Sequence, residues 1–207
     1  MYIAKHFSPK EKNQIVELVK KFPFVTMISH DESGQVSISH IPVVTEVVDG
    51  EIKSIQGHFS LRNPQVAHLK NDPRVTILYH GPNSYITPNW YKSGRDVPTW
   101  NYCTVHVHGK LKISHSFEDI CKNLKELTEV FEKGPGAWSF ELPSDLDTPE
   151  KLAGAIASFI VNPLKIEAKF KLSQNRPMVD RVGIIEGLES RADDLSAEIK
   201  KMMNSTL

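Results

Sequence analysis

Two cysteines in 207 residues, with no periodic spacing, exclude a scaffold held by disulfides. A surplus of one charge sign is missing too: 25 Lys and Arg offset 25 Asp and Glu, for a formal net charge of zero. That balance removes the general basic surplus on which binding to a phosphate backbone rests, and leaves only a local basic face as a route to DNA. No run approaches the roughly 18 apolar residues of a membrane span, and the opening MYIAKHFSPKEK lacks the apolar core of a secretion signal. A soluble cytoplasmic protein with no membrane partner is expected. No GxGxxG, Walker loop, CxxC pair, HExxH or GxSxG occurs, so none of the strong short motifs assigns a chemistry. Internal repeats, low-complexity segments and linkers are absent as well.

What remains is 40% apolar, enough at this length to bury roughly 70% of the unfolded surface in an ordinary core. Ser8-Pro9-Lys10-Glu11 predicts a helix start with Ser8 capping and Glu11 closing a capping box, and Pro23 ends that helix. Strand-like runs follow at Phe24 to His30, Val36 to Val48 and Glu51 to Phe59, separated by Ser33-Gly34 and Asp49-Gly50. Asn63-Pro64 opens a short helix to about Lys70, and Val75 to His80 alternates as a strand.

The clearest strand is Tyr102 to Ile113, with Val105, Val107 and Leu111 on one face and Thr104, His106, His108 and Lys110 on the other. Ser116 caps a strongly periodic helix, and Thr148-Pro149 starts another whose stripe runs through Leu152, Ala155, Ile156, Phe159 and Ile160. Leu164 to Leu172 is the sixth strand candidate, and two helices follow from Pro177 and near Ala192. Strands with too few helices between them for parallel crossovers predict an α+β fold, its antiparallel sheet curled into a barrel. One domain over 1–207 is expected, with helical additions at about 116–160 and 177–204.

Four segments carry polar chemistry. In Gly57-His58-Phe59-Ser60-Leu61-Arg62-Asn63-Pro64-Gln65 a strand gives way to a helix, so free backbone N–H groups, the helix dipole and Arg62 converge on a place for an anion. Five of the eight Trp and Tyr residues fall in the 22 positions from Gly81 to Tyr102. Such a cluster walls a planar ligand, buries a subunit interface or simply packs a core. His106 and His108 share a strand face, but without a third ligand at a matching spacing no metal site is expected. Lys169, Lys171 and Ser173 share a second face in KFKLSQNRP, and Arg176 follows at a helix entrance. Cys103 and Cys121 have no neighbours that mark them as reactive, and they read as small core residues.

Together, MYIAKHF, GHFSLRNPQ, GPNSYITPNWY, VPTWNY followed by VHVHG, and KLSQNRP followed by DRVGIIEGL resemble the PaiB family over nearly the whole chain. One departure is Ala4, where the family usually opens with proline. The resemblance implies an FMN-binding negative transcriptional regulator with the split β-barrel of pyridoxamine phosphate oxidases and flavin reductases. It also implies a homodimer with two flavin sites at the subunit interface. Asp72-Pro73-Arg74-Val75 matches the oxidases' strand opening, which places Asn63, Pro64 and Gln65 at the phosphate turn with Arg62 as its only cation. Ser37 to Pro42, including His40, corresponds to the strand along the flavin ring, and Thr104 to a glutamine near it. The implied cofactor contacts are therefore His40, His58, Arg62, Asn63, Gln65, Tyr85, Trp100, Thr104, Lys171, Ser173 and Arg176.

Two functions are compatible with these residues: a repressor with FMN as a signal, and a flavin-dependent oxidoreductase acting on a small substrate. No side chain stands out as a nucleophile, and DNA contact would fall to Lys165, Lys169 and Lys171 or to the Lys200-Lys201 tail.

Overall fold

The computed structural model describes residues 1–94, 96–140 and 154–207. The chain forms two compact units: a first made of Met1–Leu18, His80–Val105 and Glu167–Leu207, and a second made of Val19–Tyr79 and His106–Ile166. Seven strands, β1 (Phe24–His30), β2 (Val36–Pro42), β3 (Val44–Val48), β4 (Glu51–Ser60), β5 (Arg74–Ile86), β6 (Thr99–Ser114) and β7 (Ile156–Lys171), form one sheet in the order β2-β1-β5-β6-β7-β4-β3. The pairs β1–β2, β1–β5, β3–β4 and β4–β7 are antiparallel. Five helices are described: α1 (Lys12–Lys21), α2 (Gln65–Asn71), α3 (Phe117–Phe131), α4 (Met178–Glu189) and α5 (Asp194–Asn204).

Several elements follow directly from local chemistry. Asp49 and Gly50 both have positive φ, 53° and 73°, the conformation of a two-residue hairpin turn, and they join β3 to β4 with Val48 opposite Glu51. Ser116 Oγ accepts the N–H of Asp119 at 3.1 Å and starts α3 as expected. On β6, Val105, Val107 and Leu111 are buried and alternate with the half-buried His106 and His108. In the second unit this inward set continues with Met27, Ile55, Phe59, Ile77, Phe159 and Val161.

Other expectations fail for physical reasons. No capping box forms at Ser8 and Glu11; instead Gln14 Oε1 accepts the N–H groups of Lys10 and Glu11 at 3.0 and 3.3 Å. The Val36 to Val48 run divides at Val43, whose side chain is fully buried and whose N–H goes to Pro23 O at 2.9 Å, which makes seven strands rather than six. β5 does not stop at the turn-like Gly81-Pro82-Asn83: Pro82, Ser84 and Ile86 are buried between the exposed Asn83 and Tyr85, so the two-residue period carries on.

The helix expected from Thr148 begins outside the described residues, and its end is wrong. Ile156 to Ile160 open β7, pairing Ile156 with Ser60 and Phe159 with Gly57. Apolar residues three and four apart mimic a helical stripe there, whereas the partner strand selects Ala157, Phe159 and Val161 for burial.

Candidate functional site

Five of the expected site residues belong to the second unit: His40, His58, Arg62, Asn63 and Gln65. They surround the turn from β4 into α2. Asn63 Oδ1 accepts the N–H of Gln65 at 3.0 Å, and Asn63 Nδ2 donates to Ser39 Oγ on β2 at 2.9 Å. Gln65 is 2% exposed and its amide is fully used: Nε2 donates to Ser29 Oγ and to Ser37 O at 2.8 and 3.3 Å, and Oε1 accepts from Ser39 Oγ at 2.6 Å. Gln65 therefore fastens α2 to β1 and β2 rather than facing a ligand. His58 Nδ1 lies 3.0 Å from Oδ1 of the buried Asn123 on α3, and His40 Nδ1 lies 3.0 Å from Thr26 Oγ1.

The anion seat differs from expectation at its backbone. Leu61 N–H goes to Ala155 O, Asn63 N–H to Ser60 O, Val66 N–H to Asn63 O and Ala67 N–H to Pro64 O, while Arg62 N–H donates to Ser60 Oγ at 3.3 Å. With Gln65 N–H on Asn63, no amide in this turn is left for a phosphate. The side chain of Arg62 is exposed, and no residue among those described pairs with its guanidinium. The positive end of the site thus reduces to Arg62.

β2 supplies the surface next to it. It has a hydrogen-bonded neighbour on one side only, so its outer edge offers backbone donors and acceptors. Its residues divide by face: Ser37 and Ser39 bond to His68, Asn63 and Gln65, whereas Val36 and Ile38 are 50% and 58% exposed and His40 is exposed with them. An exposed arginine for a phosphate and an edge strand with an open apolar face for a flat ring fit the two halves of a flavin mononucleotide.

The other six, Tyr85, Trp100, Thr104, Lys171, Ser173 and Arg176, belong to the first unit. Tyr85 and Trp100 are 38% and 52% exposed, with ring centroids 6.2 Å apart in an edge-on arrangement. Thr104 is half-buried on β6 between the buried Cys103 and Val105. The remaining three are held internally. Lys171 Nζ donates to Thr99 Oγ1 and to Trp100 O, and burial, then Lys169 and Arg176, push its pKa below the usual lysine value. Ser173 is buried in the left-handed region at φ 59° and donates to Asn101 Oδ1 at 3.0 Å. Arg176 pairs with Asp96 at 2.7 Å and stacks 3.8 Å over the Tyr91 ring. The KLSQNRP segment therefore anchors the first unit internally.

Sequence reading missed the partners that hold these groups. Asp180, 1% exposed, accepts from Lys92 N and Ser93 N at 2.8 Å and from Ser93 Oγ at 2.7 Å. A carboxylate in the first turn of a helix after Pro177 was the available signal. Asn123 carried none, since it lies inside an amphipathic helix and its partner is 65 residues away. His108 Nδ1 lies 3.0 Å from Thr76 Oγ1, and among the described residues no group of three or more His, Cys, Asp or Glu is placed to hold an ion. Cys103 is buried, which pushes its thiol pKa up and keeps it inert.

Comparison with known proteins bears on the family and the fold. Residues 1–163 match the family described as "Putative FMN-binding domain". The chain is 30% identical over 210 residues to the protease synthase and sporulation protein PAI 2 of Bacillus subtilis (strain 168), covering 100% of this chain and 98% of that protein. The flavocytochrome Anf3 of Azotobacter vinelandii has a similar structure, with a TM-score of 0.60 at 11% identity over 82% of this chain and 72% of its own. The FAD and heme binding protein of Mycobacterium smegmatis scores 0.59 at 12% identity over 84% and 78%. At such identities these two bear on the fold alone, an α+β fold built on one seven-stranded sheet. The family match and the full-length relative together show that the chain belongs to the PaiB family of FMN-binding domains.

Proposed function

We propose that the protein is an FMN-binding negative regulator of transcription that acts as a homodimer. The observation that carries the reading is the exposed guanidinium of Arg62, without a partner among the described residues, on a turn that Asn63 and Gln65 fasten to the edge strand β2. Arg62 holds the FMN phosphate by charge-assisted hydrogen bonds, and the β2 edge with His40 borders the ring. Bound FMN would supply a redox-active ring that absorbs visible light, and the chain would position it.

Membership of a family that includes PAI 2 supports regulation, while the zero net charge argues against strong operator binding by this chain. Repression then runs through the flavin or a partner protein. Phe24, Val36 and Ile38, all at least half exposed in the second unit, and Tyr85 with Trp100 in the first, provide apolar surface for a second copy of the chain. No helix among the described residues is long and apolar enough to cross a membrane.

A visible spectrum of the purified protein should show the two bands of oxidised flavin. Labelled promoter DNA titrated at low and at physiological salt, beside an NAD(P)H oxidation assay with added FMN, then separates the functions. Weak, salt-sensitive DNA binding without turnover is expected. Flavin-dependent turnover would put an oxidoreductase in place of the regulator, and tight sequence-selective binding at physiological salt would make this chain the direct repressor.

A further inference from the structure

The first unit contains a cavity of about 580 Å³ with Arg181 in its wall. That volume falls in the range of roughly 300–1,000 Å³ usual for small-molecule sites. Arg181, on α4, is 7% exposed, and its Nη2 donates to Thr206 O and Thr206 Oγ1 at 2.8 and 2.7 Å. Among the described residues the buried Nε has no partner, nothing bonds Nη1 and no carboxylate lies within ion-pair distance of the guanidinium.

Two neutral oxygens satisfy two N–H groups but leave the charge uncompensated, and a buried charge is costly without a counter-charge. Lys10, Glu11, Glu17 and Leu207 with its terminal carboxylate also line the cavity, yet all four are exposed and screened by water, whereas the guanidinium of Arg181 is buried.

We propose that this cavity is a second ligand site, distinct from the flavin seat assigned to Arg62, and that it binds the oxyanion group, carboxylate or phosphate, of a small soluble metabolite. Nη1 faces the anion while Thr206 fixes the plane of the guanidinium through Nη2.

The test is calorimetric titration of the full-length protein with inorganic phosphate and, separately, with acetate, each with and without FMN. Saturable binding of at least one probe is expected, accompanied by a rise in melting temperature. Arg181→Gln should weaken it by about tenfold or more, and Arg181→Lys by less. Ser205→Glu provides an arm that leaves the buried arginine untouched. Ser205 is exposed and its hydroxyl only donates to Met202 O, so the new carboxylate at the cavity should weaken anion binding about fivefold without altering the circular dichroism spectrum.

The preferred probe, acetate or phosphate, identifies the head group. Absence of saturable binding by either probe, or affinities unchanged in both Arg181→Gln and Ser205→Glu, overturns the proposal. Displacement of the probe by FMN also overturns it, because the cavity would then be part of the flavin site. If FMN itself does not bind, the phosphate and acetate titrations still report on Arg181 alone.

Discussion

Arg62 and Gln65 are three positions apart in one motif, yet the structure uses them in opposite ways. Arg62 is exposed and has no partner among the described residues, so Arg62→Ala should leave the melting temperature unchanged and weaken FMN roughly ten- to a hundredfold in a flavin-quenching titration. Gln65 is enclosed and bonded to three serines, so Gln65→Ala takes the donor from Ser29 Oγ and the acceptor from the Ser39 hydroxyl and should cost about 1–3 kcal/mol in urea unfolding. Asp180 gives a pH signature. Burial raises its pKa, but the bonds from Ser93 and Lys92 and the nearby Arg176 outweigh it, so the folded value lies below the ordinary 3.8. A carboxylate with a depressed folded pKa contributes stability above its unfolded value and loses it as pH falls through the folded one. Asp180→Asn should accordingly be destabilised at neutral pH, with the gap to the wild type closing as unfolding is measured below 3.8.

Elements were legible where one face meets the core and the local chemistry agrees. β6 and α3 show this, since alternation on the first and the Ser116 cap on the second come from neighbours in sequence. β7 was not legible at its start, because a stretch apolar on both faces carries helical and strand periods together and only pairing with β4 decides. α4 carries a signal that is clear only in three dimensions. A Cβ at Gly183 would sit 2.1 Å from Trp90 O and one at Gly187 2.2 Å from the Trp90 ring, so the GIIEG spacing makes a groove for that tryptophan. Gly187→Ala should therefore cost about 1–3 kcal/mol by overpacking despite its better helix propensity, as thermal unfolding would show.

For the whole molecule, the proposed homodimer would cover exposed apolar residues such as Phe24 and Ile38 of the second unit in an interface of roughly 2,000 Å² or more. Light scattering at micromolar concentration should find twice the chain mass of 23.4 kDa; a particle of the chain mass would remove the homodimer. By itself the sequence determined the fold class and the family, because binary patterning, turn residues and ordered motifs are written along the chain. Only the tertiary structure decided which polar residues are spent internally. Whether Lys171, Ser173, Arg176 and Gln65 are available to a ligand depends on partners such as Thr99, Asn101, Asp96 and Ser29, which lie 36 to 80 residues away. Hydrogen bonds over such separations leave no periodicity in the sequence, so a polar residue that binds and one that braces look alike until the chain is folded.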